Sequence, residues 1–364
     1  MFYSGVSWSA EGYHVHTVDQ DGLAAAPLHF APARTEELIR HLRGLDGPLV
    51  TVVESTNGIL DGRLMAAGIT VHRIDAHALP ARPPFSSVGA EELARTARLR
   101  PSALVPLERR RGTQTGREGE LEAWIASTTA EVAALTRAGR LISHGGAGRR
   151  EVALTFDDGP LPPYTDRILD VLERYRVPAT FFCVGMNAGA HPDLLVRMRE
   201  QGHLIGNHTW SHPFLPELTR AQLVEQLERT DEAIATASGG PAPTLFRPPY
   251  GARTPEVLGW LEETFARIAL WDVAPDDWTM PGAEAISALV LEQARPGSIV
   301  LLHDGGGDRT QTVDALPAII EGLHGRGYRF VTVDELAPPT QAPPAGAGLS
   351  GASPAGAGRA ERAR

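Results

Sequence analysis

Two short segments carry residues able to activate water. Thr155-Phe156-Asp157-Asp158-Gly159-Pro160 places adjacent carboxylates directly after the apolar run Val152-Ala153-Leu154, at the predicted end of a strand. Asp-Asp-Gly-Pro alone is also an ordinary turn sequence, since Asp, Gly and Pro each suit a reversal of the backbone. The second segment, Asn207-His208-Thr209-Trp210-Ser211-His212, follows another predicted strand and sets two imidazoles four residues apart. On a helical turn that spacing would project both rings from one face. Two neutral imidazoles and one carboxylate form a facial donor set that leaves positions on a divalent ion open to water and substrate. The two segments together therefore predict metal binding.

Three further segments each follow a predicted strand: Arg247-Pro248-Pro249-Tyr250-Gly251, Asp277-Trp278, and Leu301-Leu302-His303-Asp304. Arg247 would also suit a surface position before a Pro-Pro turn, and Trp278 would also suit plain core packing. Taken in order, the five segments resemble the five motifs of the polysaccharide deacetylase family, over residues 150–336. The resemblance implies a distorted (β/α)7 barrel and hydrolysis of N-acetyl groups on a carbohydrate of chitooligosaccharide or peptidoglycan type. It implies that Asp158, His208 and His212 hold one divalent ion, zinc or cobalt, and that Asp157 is the general base. Arg247 would pair with Asp157. His303 would protonate the leaving amine while Asp277 orients it. The backbone N–H near Tyr250 would help hold the oxyanion, and Tyr250, Trp278 and Leu301 would contact substrate around the acyl group. O-deacetylation and hydrolysis of small acylated amines use the same carbonyl chemistry, and the motifs do not fix the group around it. Ala274 stands where relatives often carry an earlier Asp, while Asp277 is retained. The run Gly305-Gly306-Gly307 lacks the Lys-Ser/Thr of a phosphate loop, and relatives use this stretch as an active-site loop.

The elements that must position these residues follow from hydrophobic patterning. Strands are predicted at 152–156, 179–184, 203–207, 244–247, 267–271, 298–302 and 329–333, alternating with helical stretches. Near-continuous apolar strands in that alternation indicate a parallel sheet, with the active site at the strands' carboxyl ends. Upstream, strands at 2–7, 13–18 and 28–30, a helix at 35–45, a strand at 49–54, a helix at 59–67 and a strand at 70–74 give a βββαβαβ order. The expected division is a small α/β domain at 1–85, a helical connector at 86–147, a catalytic domain at 148–336 and a disordered Ala/Gly/Pro tail at 337–364.

Gly5-Val6-Ser7-Trp8-Ser9, Val52-Val53-Glu54-Ser55-Thr56 and the segment 68–75 more weakly resemble the ribonuclease-H-like domain of a class of insertion-sequence transposases. That fold's nuclease chemistry needs several carboxylates around magnesium. Here Ser7 stands at the first acidic position, Glu54 is retained, and Ser87-Val88-Gly89-Ala90-Glu91 lacks the later Asp pair. The resemblance thus implies a degenerate domain, kept for packing, self-association or binding of a protein partner.

Composition narrows the alternatives. All 34 basic residues are arginine, and the net charge is −10. Residues 1–148 carry 15 Arg against 16 Asp plus Glu, and the remainder 19 against 28. A nucleic-acid binder usually shows the opposite balance in at least one region, which counts against a nucleic-acid-associated scaffold with an inert barrel. The single cysteine, Cys183, lies in the apolar run Thr180–Val184, so no intrachain disulfide forms and a buried thiol is expected. Met1-Phe2-Tyr3-Ser4-Gly5 lacks a basic region followed by an apolar one, and no run approaches ~18 apolar residues. The sequence alone therefore predicts a cytoplasmic chain without membrane contact.

Overall fold

The computed structural model describes residues 1–9, 11–54, 58–74, 78–80, 86–107, 118–264 and 267–336. The expected tail at 337–364 and part of the expected connector, 108–117, lie outside the described residues. No helix among the described residues is long and apolar enough to cross a membrane.

The first region runs β1 (Phe2–Ser9), β2 (Gly12–Asp19), β3 (Leu28–Phe30), α1 (Thr35–Arg43), β4 (Leu49–Glu54), α2 (Gly58–Ala66), β5 (Val71–Ile74), α3 (Ala90–Leu99) and β6 (Val105–Pro106). Its sheet order is β3-β2-β1-β4-β5-β6. β1 pairs antiparallel with β2 and parallel with β4, which in turn pairs parallel with β5. Successive strand side chains alternate faces, so both faces need cover. Val53 and Val71 pack with Leu38, Leu42, Leu60 and Leu64 of α1 and α2. Val52 and Ile74 pack on the other side with Leu93 and Ala97 of α3.

The segment expected as a connector divides between two sheets. α3 covers the first sheet, and β6 extends it by pairing antiparallel with β5. Further along the expected helical connector lie two helices, α4 (Glu118–Ala126) and α5 (Thr129–Arg137). Between them the Thr128 hydroxyl donates back to the Ile125 carbonyl at 2.7 Å, a local bond that competes with continuation of the helix. β7 (Leu141–Ile142), too short to show a pattern in sequence, then joins the second sheet.

That sheet continues with β8 (Glu151–Asp157), α6 (Tyr164–Tyr175), β9 (Thr180–Cys183), α7 (Gly185–Ala190), β10 (Leu204–Asn207), β11 (Leu245–Phe246), β12 (Arg267–Ala269), β13 (Ser298–His303) and β14 (Arg329–Phe330), with further helices between strands. The order is β13-β8-β9-β10-β11-β12-β7, with β14 also on β8. Every named pair in it is parallel. The sheet is curled and open: its two ends are not paired as strands among the described residues, and isolated bridges, His144 with Ser298 and Val273 with Val300, join the segments there. On β8, Val152, Leu154 and Phe156 pack outward against helical residues such as Leu169, Leu172 and Leu316. Ala153 turns inward with Phe182, Leu245, Ala269 and Ile299. Period-two alternation then carries Thr155 and Asp157 to that inner side, above an apolar floor at the carboxyl end of the strands. Cys183 is buried among the outward-packing residues, as expected.

Candidate metal centre and active site

The site forms where four parallel strands end. Asp157 is the last residue of β8, and Asp158 follows with a positive φ of 78°. His208 follows β10 directly, and His303 closes β13 as the register partner of Asp157. Arg247 follows β11 and donates its backbone N–H to Asn207 at 3.0 Å.

The helical turn expected over 208–212 does not form. The segment is an irregular loop in which Thr209 (φ 68°) and His212 (φ 61°) both take the left-handed region. Side chains around it fix this conformation. Asn207 Oδ1 accepts from the Thr209 N–H at 2.8 Å, and Gln226 Oε1 accepts from the Trp210 and Ser211 N–H groups at 2.9 and 3.0 Å. The loop still brings both imidazoles together. His212 Nε2 lies 3.2 Å and His208 Nε2 3.5 Å from Asp158 Oδ1. Asp158, His208 and His212 form a buried group whose donor atoms all lie within 4.8 Å of one another.

These residues fit a divalent ion. His208 Nδ1 is engaged by the Arg247 carbonyl at 2.7 Å, which fixes the ring and leaves Nε2 toward Asp158. Asp158 Oδ1 is buried and without a hydrogen-bond partner, although buried carboxylate oxygens are ordinarily satisfied. Burial opposes ionisation of Asp158, but His212, His208 and His303 together hold its carboxyl well below the usual carboxylate range. Burial pushes His212 down to about 3, so its ring is neutral and able to ligate near pH 7. His212 meets the Tyr250 ring edge-on at 4.5 Å, and Tyr250 in turn stacks on Phe214 at 4.0 Å.

Arg247 engages one oxygen of Asp157. Arg247 Nη1 donates to Asp157 Oδ1 at 2.7 Å and to the Thr155 hydroxyl at 2.8 Å. The guanidinium is fully buried, lies 4.1 Å over the Phe182 ring, and donates Nη2 to the Leu270 carbonyl at 3.2 Å. It is not a surface arginine. Asp157 Oδ2 faces His208 Nε2 at 3.7 Å.

Across the sheet's inner side, His303 Nδ1 and Asp277 Oδ1 are 2.7 Å apart. Asp277 Oδ2 also accepts from the His303 backbone N–H at 2.9 Å and the Thr312 hydroxyl at 2.7 Å. Burial alone would depress His303, but the Asp277 carboxylate outweighs it and holds the imidazole above its ordinary value. Leu301 lies on β13 two residues before His303 and is buried. Trp278 sits in the short turn Asp277–Thr279, partly exposed.

Several further residues support the set, and of these Asp304 is part of the segment quoted from the sequence. Asn187 Nδ2 donates to the Asp158 carbonyl at 2.8 Å. Asp304, pushed up to about 7 chiefly by burial, accepts from the Thr165 hydroxyl at 2.6 Å and the Gly159 N–H at 3.1 Å. Asn207 was readable as the neighbour of His208. Asn187, Gln226 and Thr312 come from distant segments and carry no local signal.

The polysaccharide deacetylase profile matches residues 144–266. A chitooligosaccharide deacetylase of Rhizobium leguminosarum bv. trifolii is 43% identical over 194 residues, 50% of this chain and 90% of that protein. A peptidoglycan-N-acetylglucosamine deacetylase of Bacillus cereus is 42% identical over 187 residues, 51% of this chain and 87% of that protein. The crystal structure of the Bc1960 peptidoglycan N-acetylglucosamine deacetylase, in complex with 4-naphthalen-1-yl-N-oxidanyl-benzamide, superposes with a TM-score of 0.54 at 38% identity. It covers 56% of this chain and 95% of that one. With relatives aligned over 90% and 87% of their own length at 43% and 42% identity, the chain belongs to the polysaccharide deacetylase family.

Proposed function

We propose that this enzyme removes acetyl groups from an N-acetylated carbohydrate of chitooligosaccharide or peptidoglycan type, with Asp158, His208 and His212 holding a zinc or cobalt ion. The observation that carries this reading is the buried three-residue donor set lying beside a carboxylate, Asp157, and an imidazole, His303, on adjacent strands. When bound, a divalent ion at this set polarises the acyl carbonyl and acidifies water toward a pKa of about 7.

Asp157 is the general base. Arg247 occupies its Oδ1 and leaves Oδ2, the oxygen nearer His208, to take a proton from the attacking water. The nucleophile's O–C bond forms at the acyl carbon. The C–N bond then breaks as His303 gives a proton to the departing amine, so that acetate and the free amine are the products. The Nδ1 contact with Asp277 leaves Nε2 as the nitrogen that delivers this proton. Tyr250, Trp278 and Leu301 are the proposed substrate contacts around the acyl group. The relatives named as acting on N-acetylated glycans support the substrate class.

The curled sheet is the proposed (β/α)7 barrel of the family. The first region's order, β3-β2-β1-β4-β5 with β4 and β5 parallel to β1, supports a ribonuclease-H-like ancestry. Its nuclease set is read as degenerate, since Ser7 stands where the first acidic residue would be and Glu54 accepts the Val88 N–H at 2.7 Å.

The test is release of acetate from N-acetylglucosamine oligomers by the purified full chain, with chelator and with zinc or cobalt restored. Release abolished by chelator and recovered with metal is the expected outcome. Protein that holds one metal per chain yet releases nothing would redirect the reading to another acyl compound.

A further inference from the structure

The metal ligand Asp158 is backed by a loop that the first region touches from behind. In the loop after β13, a Cβ placed on Gly306 would lie 2.5 Å from Asp158 Oδ2, and one on Gly305 would lie 2.3 Å from the Asp158 carbonyl oxygen. No side chain fits between this loop and the ligand. On the loop's other side, a Cβ placed on Gly62 of α2 would lie 2.2 Å from the Gly306 carbonyl oxygen. One strip of backbone thus separates α2 from Asp158. Arg309, itself buried, holds the strip in place by donating Nε to the Gly305 carbonyl at 2.6 Å and Nη1 to the Asp308 carbonyl at 3.2 Å.

A second path joins the same two places. Val184 and Met186, at the start of α7, are buried in one apolar cluster with Val6, Leu60 and Leu64 of the first region, and Trp210 packs against it. α7 is tied to the metal-bearing loops by backbone bonds: Val184 N–H to Gly159 (2.9 Å), Gly185 N–H to Thr209 (2.9 Å) and Met186 N–H to Trp210 (3.2 Å). It also carries Asn187, the donor to the Asp158 carbonyl. A region merely tethered to a self-sufficient catalytic unit would not share its core with the loops that bear the ligands.

We propose that α2, through the side-chain-free surface at Gly62, is a positioning element of the metal centre: it holds the Gly305–Gly307 loop against Asp158, so the first region is a working part of the deacetylase site. This rests on the metal set proposed above. Close-packed interiors transmit displacement because no void absorbs it, and here the obstructing atom is backbone. A methyl group at position 62 therefore moves Gly306, and Gly306 moves Asp158.

Zinc affinity, measured by competition with a chromophoric chelator, tests this in the full chain for the parent, Gly62→Ala, Gly62→Val and Leu93→Ala. Leu93 is equally buried in the first region but packs with Val52, Ile74 and Ala97, on the side of the sheet away from α2. The expected order is graded weakening in Gly62→Ala and Gly62→Val, about 10–100-fold as for other losses of support behind a metal ligand. Leu93→Ala should lower the melting temperature and leave zinc affinity within about 2-fold of the parent. Gly62 variants that bind zinc like the parent, or a Leu93→Ala variant weakened equally, overturn the proposal. A parent chain that binds no zinc would instead overturn the metal reading beneath it. Hydrogen exchange of the unaltered chain gives an arm free of variants. Coupling between sites is reciprocal, so zinc should slow amide exchange in α2, and exchange there indifferent to zinc contradicts the coupling.

Discussion

Asp61 and Asp158 are both buried aspartates with an Oδ1 that has no hydrogen-bond partner, one in each region of the molecule. Burial pushes the Asp61 carboxyl well above the usual range, and the charge of Arg73 only partly offsets it. Burial acts on Asp158 in the same direction, but two imidazoles within 3.5 Å and His303 beyond them reverse the outcome. The setting of Asp61 favours the protonated acid, whereas that of Asp158 favours the carboxylate, the form able to ligate. An orphaned buried carboxyl is therefore not a site until its neighbours make the ionised form the stable one. Glu54 and Asp157 make a second contrast at strand ends: Glu54 accepts a backbone N–H of its own region, while Asp157 accepts from the buried Arg247 guanidinium beside the donor set.

The sharpest break of this comparison comes from His208→Ala. Removing one of the three proposed ligands should weaken zinc binding by more than the ~10–100-fold that loss of a supporting hydrogen bond costs, and abolish turnover. Full metal occupancy in that variant, measured by elemental analysis, would relocate the ligand set.

A smaller effect is expected at Asp277→Asn. The general acid must be protonated, so activity falls as pH rises through the His303 pKa. Asp277 raises that pKa, and its neutralisation should move the alkaline limb of the pH–rate profile to lower pH, with turnover down ~10-fold or more at neutral pH. An unmoved limb would remove His303 as the acid.

Asp61→Asn should leave zinc affinity and turnover at parent levels. Because the folded-state pKa of Asp61 is raised, its contribution to stability is complete below the ordinary carboxylate range and is lost as pH rises toward the folded value. The variant should therefore gain melting temperature over the parent progressively with pH across that window. A constant difference at every pH would place the acid in a more polar setting than its burial indicates.

The smallest change is Glu54→Gln, which keeps an oxygen for the Val88 N–H. It should cost about 1 kcal/mol or less in denaturant unfolding and nothing in turnover. A turnover defect would give the first region chemistry of its own.

The catalytic region was legible because it repeats one signal: an apolar strand followed at once by a residue with chemistry, as at Asp157, His208, Arg247 and His303. Asp158, His208 and His212 meet as the motif order implied, though not by helical spacing. His212 reaches the site through positive φ values that no periodicity announces, held by Gln226 from a helix downstream. β7 and the division of the expected connector were hidden because two-residue strands carry no pattern. The approach of Gly62 to Gly306 was invisible for a different reason, since it depends on how two regions pack and not on either one's own sequence.

The most direct measurement is metal content and acetate release of Asp157→Asn, side by side with the parent chain. One metal per chain with release lowered at least ~100-fold is the predicted result, because in the proposed mechanism Asp158 and the two histidines would hold the ion while Asp157 moves the proton. Loss of the metal would make Asp157 a ligand, and undiminished release would leave the reaction without the base proposed for it.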